Sequence, residues 1–175
     1  MKTVLDSSKI ELITNPRDKV ELEIRKIFDY SDYKIKKQFY EQYQRLEMAE
    51  FISLIESNNQ VLGFLNLVDE KIDNTLFLDV AVMKEFRNQQ LGKKAITKML
   101  ETYETSKYLI AETQLDNVSA NHMLNFFGDS FYQEKDIVYY FIENETTCND
   151  FLNDCSFEQL KEKAKVKTNS RIYKR

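Results

Sequence analysis

The chain has 175 residues, enough for one buried core and short for two domains. Hydrophobic residues make up 42% and charged residues 31% at a formal charge of -4, a balance that excludes an intrinsically disordered chain. No apolar run approaches the roughly 20 residues of a membrane span, and the N-terminus lacks the apolar stretch of a signal peptide, so a cytoplasmic protein without a membrane partner is expected.

Residues 8–14 (SKIELIT) alternate as a first strand, and Asn15 with Pro16 supplies a cap and a first-turn proline for a helix. In that helix Val20, Ile24, Ile27 and Phe28 form one apolar face. Ser31 or Asp32 caps a second helix, where Ile35, Phe39, Tyr43 and Leu46 repeat the pattern. From Glu50 the period changes to two, predicting the strands EFISLIES and QVLGFLNLVD around the turn Asn58-Asn59. A further strand, NTLFLDVAVM, follows the polar segment Asp69 to Asn74 and completes an antiparallel meander. The next helix, LGKKAITKMLETYE, carries Leu91, Ala95 and Leu100 on its apolar side, and YLIAETQ reads as a buried strand. Strand, helix and strand in succession imply a parallel crossover.

Asp116-Asn117 opens another helix that runs through Phe127 and ends at Gly128, and FYQEKDIVYYFIE is expected as one closing strand. The last thirty residues add a helix, with Ser156 and Gln159 as its capping box. Residues 151–175 hold seven Lys/Arg against three Asp/Glu, while residues 1–150 hold 18 against 26. The basic tail is read as a solvated segment rather than a nucleic-acid surface. Cys148 and Cys155 lie seven apart, which matches neither a redox pair nor a zinc site, so both are expected as free thiols and no metal is expected.

Only three glycines occur, and Gly92 stands where a strand turns into a helix. In VAVMKEFRNQQLGKKAI the first turn of that helix offers unpaired backbone N–H groups and a partial positive charge. With Arg87, Lys93 and Lys94 close by, a pyrophosphate can rest on the amides of Gln89 to Lys93; the alternative is an ordinary capped helix with basic surface residues.

The segment Arg87-Asn88-Gln89-Gln90-Leu91-Gly92 resembles the acyl-coenzyme A loop of the GNAT superfamily of N-acetyltransferases, R/Q-x-x-G-x-G/A after a strand, with Gln90 where the first glycine is usual. Gly63 in VLGFL and the stretch DNVSANHMLNFFG resemble two further blocks of that family, in the family order across residues 8 to 142. The resemblance implies a mixed α/β (α+β) fold: a mostly antiparallel central sheet of six to seven strands, flanked by helices on both faces and splayed between the fourth and fifth. Residues 1–145 would form the acetyltransferase domain and residues 146–175 a helical, basic extension.

By the same resemblance, acetyl-coenzyme A is the acyl donor. Val80, Ala81 and Val82 would pair with its pantetheine arm, Arg87 to Lys93 (Arg87, Asn88, Gln89, Gln90, Leu91, Gly92, Lys93) would hold its pyrophosphate, and Asn117 would contact the pantetheine side or serve only as an N-cap. The acceptor is an amine, and an amine near pKa ~10 must lose a proton before it attacks a thioester. Glu112 resembles the catalytic glutamate of members that acetylate protein N-termini; the alternative is a strand carboxylate facing solvent or paired with a lysine. Asp79 is the second candidate base. The family's tyrosine acid is replaced by Leu124, leaving Tyr132, Tyr139 or Tyr140 as substitutes, and His122 is read as structural or exposed. Three functions remain: acetyl transfer to a small-molecule amine (an amino sugar, polyamine or amino acid), transfer to a protein N-terminus or lysine, and acyl-coenzyme A binding without catalysis. Both a monomer and a homodimer stay open.

Overall fold

The computed structural model describes residues 11–14 and 44–172. The two helices expected between Asn15 and Tyr43 lie outside the described residues, and residues 44–46 form a helical turn where the second was expected to end. The chain folds as two compact units, residues 1–68 with 79–104 and residues 69–78 with 105–175.

In the first unit strands β1 (Glu11–Thr14), β2 (Ala49–Ser57) and β3 (Gln60–Val68) pair antiparallel in succession. The turn between β2 and β3 is the expected one: Asn58 and Asn59 take φ of 51° and 63°, the left-handed geometry that matches the twist of a hairpin. Every residue of β3 from Leu62 to Val68 is buried, as in a central strand covered on both faces. Strand β4 (Thr75–Val82) passes through both units, and its second half lies here, with the amide of Met83 donating to the carbonyl of Leu62 at 2.7 Å. Leu46, Leu54 and Phe64 form the buried cluster, with Ile52, Val61, Ala81 and Met83 packed on it. Helix α1 (Leu91–Thr102) buries Leu91, Ala95, Ile96 and Met99 at helical spacing.

Gly63 accounts for how closely β3 and β4 approach. A Cβ there would stand 2.1 Å from the Ala81 carbonyl oxygen and 2.9 Å from the Val82 Cα, both backbone atoms that cannot swing aside. Gly63→Ala is therefore expected to part the strands at the site of overpacking and to cost about 1–3 kcal/mol, read from the midpoint of urea unfolding.

The second unit holds the first half of β4 with β5 (Tyr108–Gln114), helix α2 (Val118–Asn125), β6 (Ser130–Glu134) and β7 (Ile137–Ile142). Helices α3 (Cys148–Leu152) and α4 (Cys155–Ile172) complete it. The seven strands are ordered β1-β2-β3-β4-β5-β7-β6, a mixed, mostly antiparallel sheet with helices. Strands β4 and β5 run parallel, and their pairing covers Thr75–Phe77 against Tyr108–Ile110 and stops there.

Two expectations are corrected. The closing segment is a hairpin, not one strand: Glu134 pairs with Ile137 across a two-residue turn, Lys135 takes φ 53°, and β7 sits between β5 and β6. Lysine carries no turn signal in a sequence, which is why the run reads as continuous. The capping box expected at Ser156 and Gln159 lies instead at Thr147 and Asp150, on α3. The cap of α4 is Asp154, which accepts from the Ser156 amide at 3.1 Å, while the buried Ser156 hydroxyl donates to the Asp73 carbonyl at 2.7 Å. Gln159 closes the same joint, bonding both the amide and the carboxylate of Asp73 at 2.8 Å.

The C-terminal segment is consequently built into this unit. Phe151, Leu160 and Ala164 are at most 1% exposed and share a cluster with Phe77, Ile110, Tyr139 and Phe141 from the strands. Both cysteines are free thiols, Cys148 half-buried against that cluster and Cys155 exposed.

Candidate active site

In the first unit the strand-to-helix turn takes a shape that its sequence conceals. A 3-10 turn (Lys84–Phe86) leads into Arg87, and Asn88 and Gln90 adopt φ of 65° and 60°. Gln90, the residue standing in the place of the family's first glycine, thus takes a left-handed conformation that glycine favours, at the N-cap of α1. The Gln90 side chain makes no cap hydrogen bond and no acidic residue lies in the first turn. The helical ladder begins with the Lys94 amide on the Gln90 carbonyl at 3.1 Å, and the amides of Leu91, Gly92 and Lys93 precede it at the positive end of the helix. The Arg87 side chain turns back so that Nε donates to the Val82 carbonyl at 3.0 Å, joining the turn to the strand Val80–Val82. Backbone donors, positive side chains and a first helical turn without carboxylates are the donor set a pyrophosphate requires.

Asp79 opens that half of β4, and both its oxygens are held by Arg45, Nε to Oδ2 at 2.5 Å and Nη2 to Oδ1 at 2.8 Å. The pair is bidentate and mostly covered, with side chains 18% and 14% exposed.

In the second unit Glu112, on β5, is half-buried and meets two partners. Lys167 of α4 forms an ion pair with its Oε1, and the Tyr139 hydroxyl, on the cross-strand residue of β7, hydrogen-bonds the carboxylate. Burial first, and the Glu112 charge second, push the Tyr139 phenol far up. One turn earlier on α4 Lys163 donates to the backbone carbonyl of Glu70, itself a buried residue. A small cavity, lined by Glu70, Glu112, Tyr139, Lys163 and Lys167 among others, marks this cluster. The two other candidate tyrosines are also engaged. Tyr132 donates to Glu134 Oε2 at 2.6 Å and is pushed up to about 12 by burial and then by that carboxylate, while Tyr140 donates to Asn121 Oδ1 at 2.8 Å and is pushed up by burial.

Asn117 caps α2, its Oδ1 accepting from the Ala120 amide at 3.1 Å. Asn121 ties the start of that helix down, its amide group donating to the carbonyls of Gln114 at 2.9 Å and Asn117 at 2.8 Å. Leu124 is buried and His122 is exposed.

A family model described as the acetyltransferase (GNAT) family matches residues 20–128, more than half of the chain. The chain belongs to the GNAT family. Solved structures carry the same fold. A Bacillus cereus IAA acetyltransferase is 16% identical and aligns over 77% of this chain and 99% of its own at a TM-score of 0.58. Campylobacter jejuni N-acetyltransferase PseH, in complex with acetyl coenzyme A, is 16% identical over 77% and 98% at 0.52. A dodecameric spermidine N-acetyltransferase from Vibrio cholerae is 12% identical over 82% and 98% at 0.55. At such identities the likeness is one of fold. Curated protein sequences give no match.

For a GNAT acetyltransferase the matched region takes in the strand Val80–Val82, the turn Arg87–Lys93, Glu112 and Asn117, and it ends before α4. Lys167 lies beyond that region, and sequence reasoning misses it by treating the basic tail as solvated. Its spacing from Lys163, one helical turn, is the available signal, and nothing in the sequence names the carboxylate 55 residues away that receives it.

Proposed function

We propose that this GNAT enzyme moves an acetyl group from acetyl-coenzyme A to the primary amine of a small molecule, an amino sugar, polyamine or amino acid, by direct attack of the amine on the thioester. The observation that carries this reading is the turn Arg87–Lys93: Gln90 in left-handed geometry, three amides at a helix start, flanking cations and a first helical turn without acidic residues. In this reading those amides and Arg87 hold the coenzyme pyrophosphate, and the backbone of Val80–Val82 receives the pantetheine arm.

The acceptor arrives as an ammonium and must give up a proton before its lone pair can attack. Glu112 is placed ahead of Asp79 as the base because both Asp79 oxygens are taken by one bidentate guanidinium, while Glu112 carries an ammonium on one oxygen and a neutral phenol as its other partner. Tyr132 bonded to Glu134 and Tyr140 bonded to Asn121 hold their protons toward other partners, and Tyr139, bonded to Glu112, is the tyrosine tied to the proposed base. Transfer to a protein lysine is the second reading, favoured by one observation: Glu112 already receives a lysine side chain. In functional terms residues 146–175 are counted with the catalytic body rather than as a separate extension, a reading supported by the buried joint at Ser156.

Isothermal titration with acetyl-coenzyme A tests the donor site. Binding in the micromolar range is expected for the wild type, and Gly92→Glu, which sets a carboxylate among the amides, is expected to weaken it ten-fold or more. Arg87→Glu reverses charge at an exposed residue and checks that any loss reflects the anion site rather than misfolding. A wild-type chain that does not bind acetyl-coenzyme A would sink the reading.

A further inference from the structure

Strand β4 changes character halfway along. Thr75 to Leu78 are buried, whereas Asp79 to Val82 are only half-buried. This second half lies in the first unit, together with residues 44–46 and the turn Arg87–Lys93. A half-covered stretch of strand gains little from core packing, yet here both ends are fastened. At the far end the Met83 amide donates to the Leu62 carbonyl at 2.7 Å, and Arg87 Nε donates to the Val82 carbonyl at 3.0 Å. At the near end the two Asp79 oxygens accept from Nε and Nη2 of Arg45 at 2.5 and 2.8 Å, and the two side chains are 18% and 14% exposed.

The helical turn that carries Arg45 is itself anchored. Leu46 is 1% exposed in a cluster with Leu54 and Phe64, and Ala81 and Met83 pack against that cluster. Asp79 and Ala81 stand two apart, the spacing at which strand side chains share a face. The turn therefore bears on one face of the strand twice, through the cluster at Ala81 and through the guanidinium at Asp79. A guanidinium fork fixes the plane of a carboxylate as well as its distance, which the point charge of an ammonium does not. With the Asp79 side chain fixed, rotation of its Cα about the strand axis is fixed too, and so is the direction of the peptide groups that follow.

We propose that Arg45 is a positioning residue for the acyl donor: acting through Asp79, it holds the backbone of Val80–Val82 in the orientation that receives the pantetheine arm. The proposal rests on the reading that this strand takes the arm and the turn Arg87–Lys93 takes the pyrophosphate. The two parts of the donor then depend on Arg45 unequally. The pyrophosphate rests on amides set by the turn and the start of α1, whereas the arm lies along the stretch that Arg45 orients.

The test is isothermal titration of the full chain with acetyl-coenzyme A and, separately, with ADP, which carries a pyrophosphate and no pantetheine. No acceptor is present, so a part for Asp79 in proton transfer does not enter the readout. Arg45→Lys keeps the charge and removes the fork. It is expected to weaken acetyl-coenzyme A by about ten-fold, the scale of lost preorganisation, and to leave ADP within about two-fold of the wild type. Asp79→Glu, which keeps both charges and lengthens the arm between carboxylate and strand, is the second variant and should show the same selective loss if Arg45→Lys does not fold. Equal weakening of both ligands would make Arg45 a support of the whole unit, and undiminished acetyl-coenzyme A affinity would make it dispensable; either result overturns the proposal. A wild type that binds acetyl-coenzyme A no more tightly than ADP overturns the strand reading and the proposal with it, leaving the anion site standing. A wild type that binds neither sinks the proposed function itself.

Discussion

Glu112→Gln is expected to lower kcat by about 10²- to 10⁴-fold, the range a positioned general base contributes. The substitution suits the question because glutamine keeps the shape of the side chain and an oxygen that can accept from both Lys167 and Tyr139, so the joint between β5 and α4 is retained. It removes only the ability to take a proton. Thiol release from acetyl-coenzyme A, followed across a panel of polyamines, amino sugars, amino acids and lysine peptides, gives the rate, and titration of the donor shows whether the binding site is intact. A loss in kcat with unchanged donor affinity supports a base that acts on the amine. Unchanged kcat would pass the role to Asp79 or to bound water, and Asp79→Asn would separate those two. The bidentate Arg45 contact makes Asp79→Asn the riskier variant, since it leaves a mostly covered guanidinium with half its partner.

Much of the fold is legible because period and turn chemistry agree with burial along most of the chain. The two asparagines at 58 and 59 announce their hairpin and Asn117 caps α2 as expected, whereas the helix expected to run through Phe127 to a Gly128 cap ends at Asn125 with Phe126 as its C-cap. The hairpin at Lys135 is not legible, since a lysine in left-handed geometry is held there by the strands on either side rather than by its own preference. Gln90 is the same effect at the site. Its departure from glycine suggests a less open loop, yet the turn is formed with glutamine in a strained conformation, which sequences signal weakly. Asp154, Ser156 and Gln159 show a third limit. All three are cap-forming residue types, and only the position of Asp73, more than eighty residues earlier, decides which of them caps and which fasten the helix to the strand-side loop. Glu112 has two alternatives in the sequence, a base or a carboxylate paired with a lysine, and the Lys167 contact is the latter arrangement at the residue proposed for the former.

Phe151→Ala is expected to destabilise the protein by about 3–5 kcal/mol, the usual cost of deleting a fully buried aromatic ring. Phe151 has no exposed surface, and its ring stands 5.1 Å from Tyr108, 5.5 Å from Phe131, 5.7 Å from Phe157 and 5.8 Å from Phe141, centroid to centroid. Three of these neighbours lie on β5, β6 and β7 and the fourth on α4, so the ring is the point where the C-terminal helices meet the strands. The surrounding rings, two in edge-to-face and two in tilted contact, cannot close a hole of that size without leaving their rotamers, which is why the cavity term adds to the lost burial. At this chain length the loss corresponds to a fall in melting temperature of roughly 10 °C. Leu152→Ala is the control: the neighbouring side chain is 38% exposed and should cost well under half as much. Equally small effects at 151 and 152 would mean that neither side chain is buried in solution and that residues 146–175 are an appendage after all. The expected inequality would show that the C-terminal helices are held to the strands through the core around Phe151.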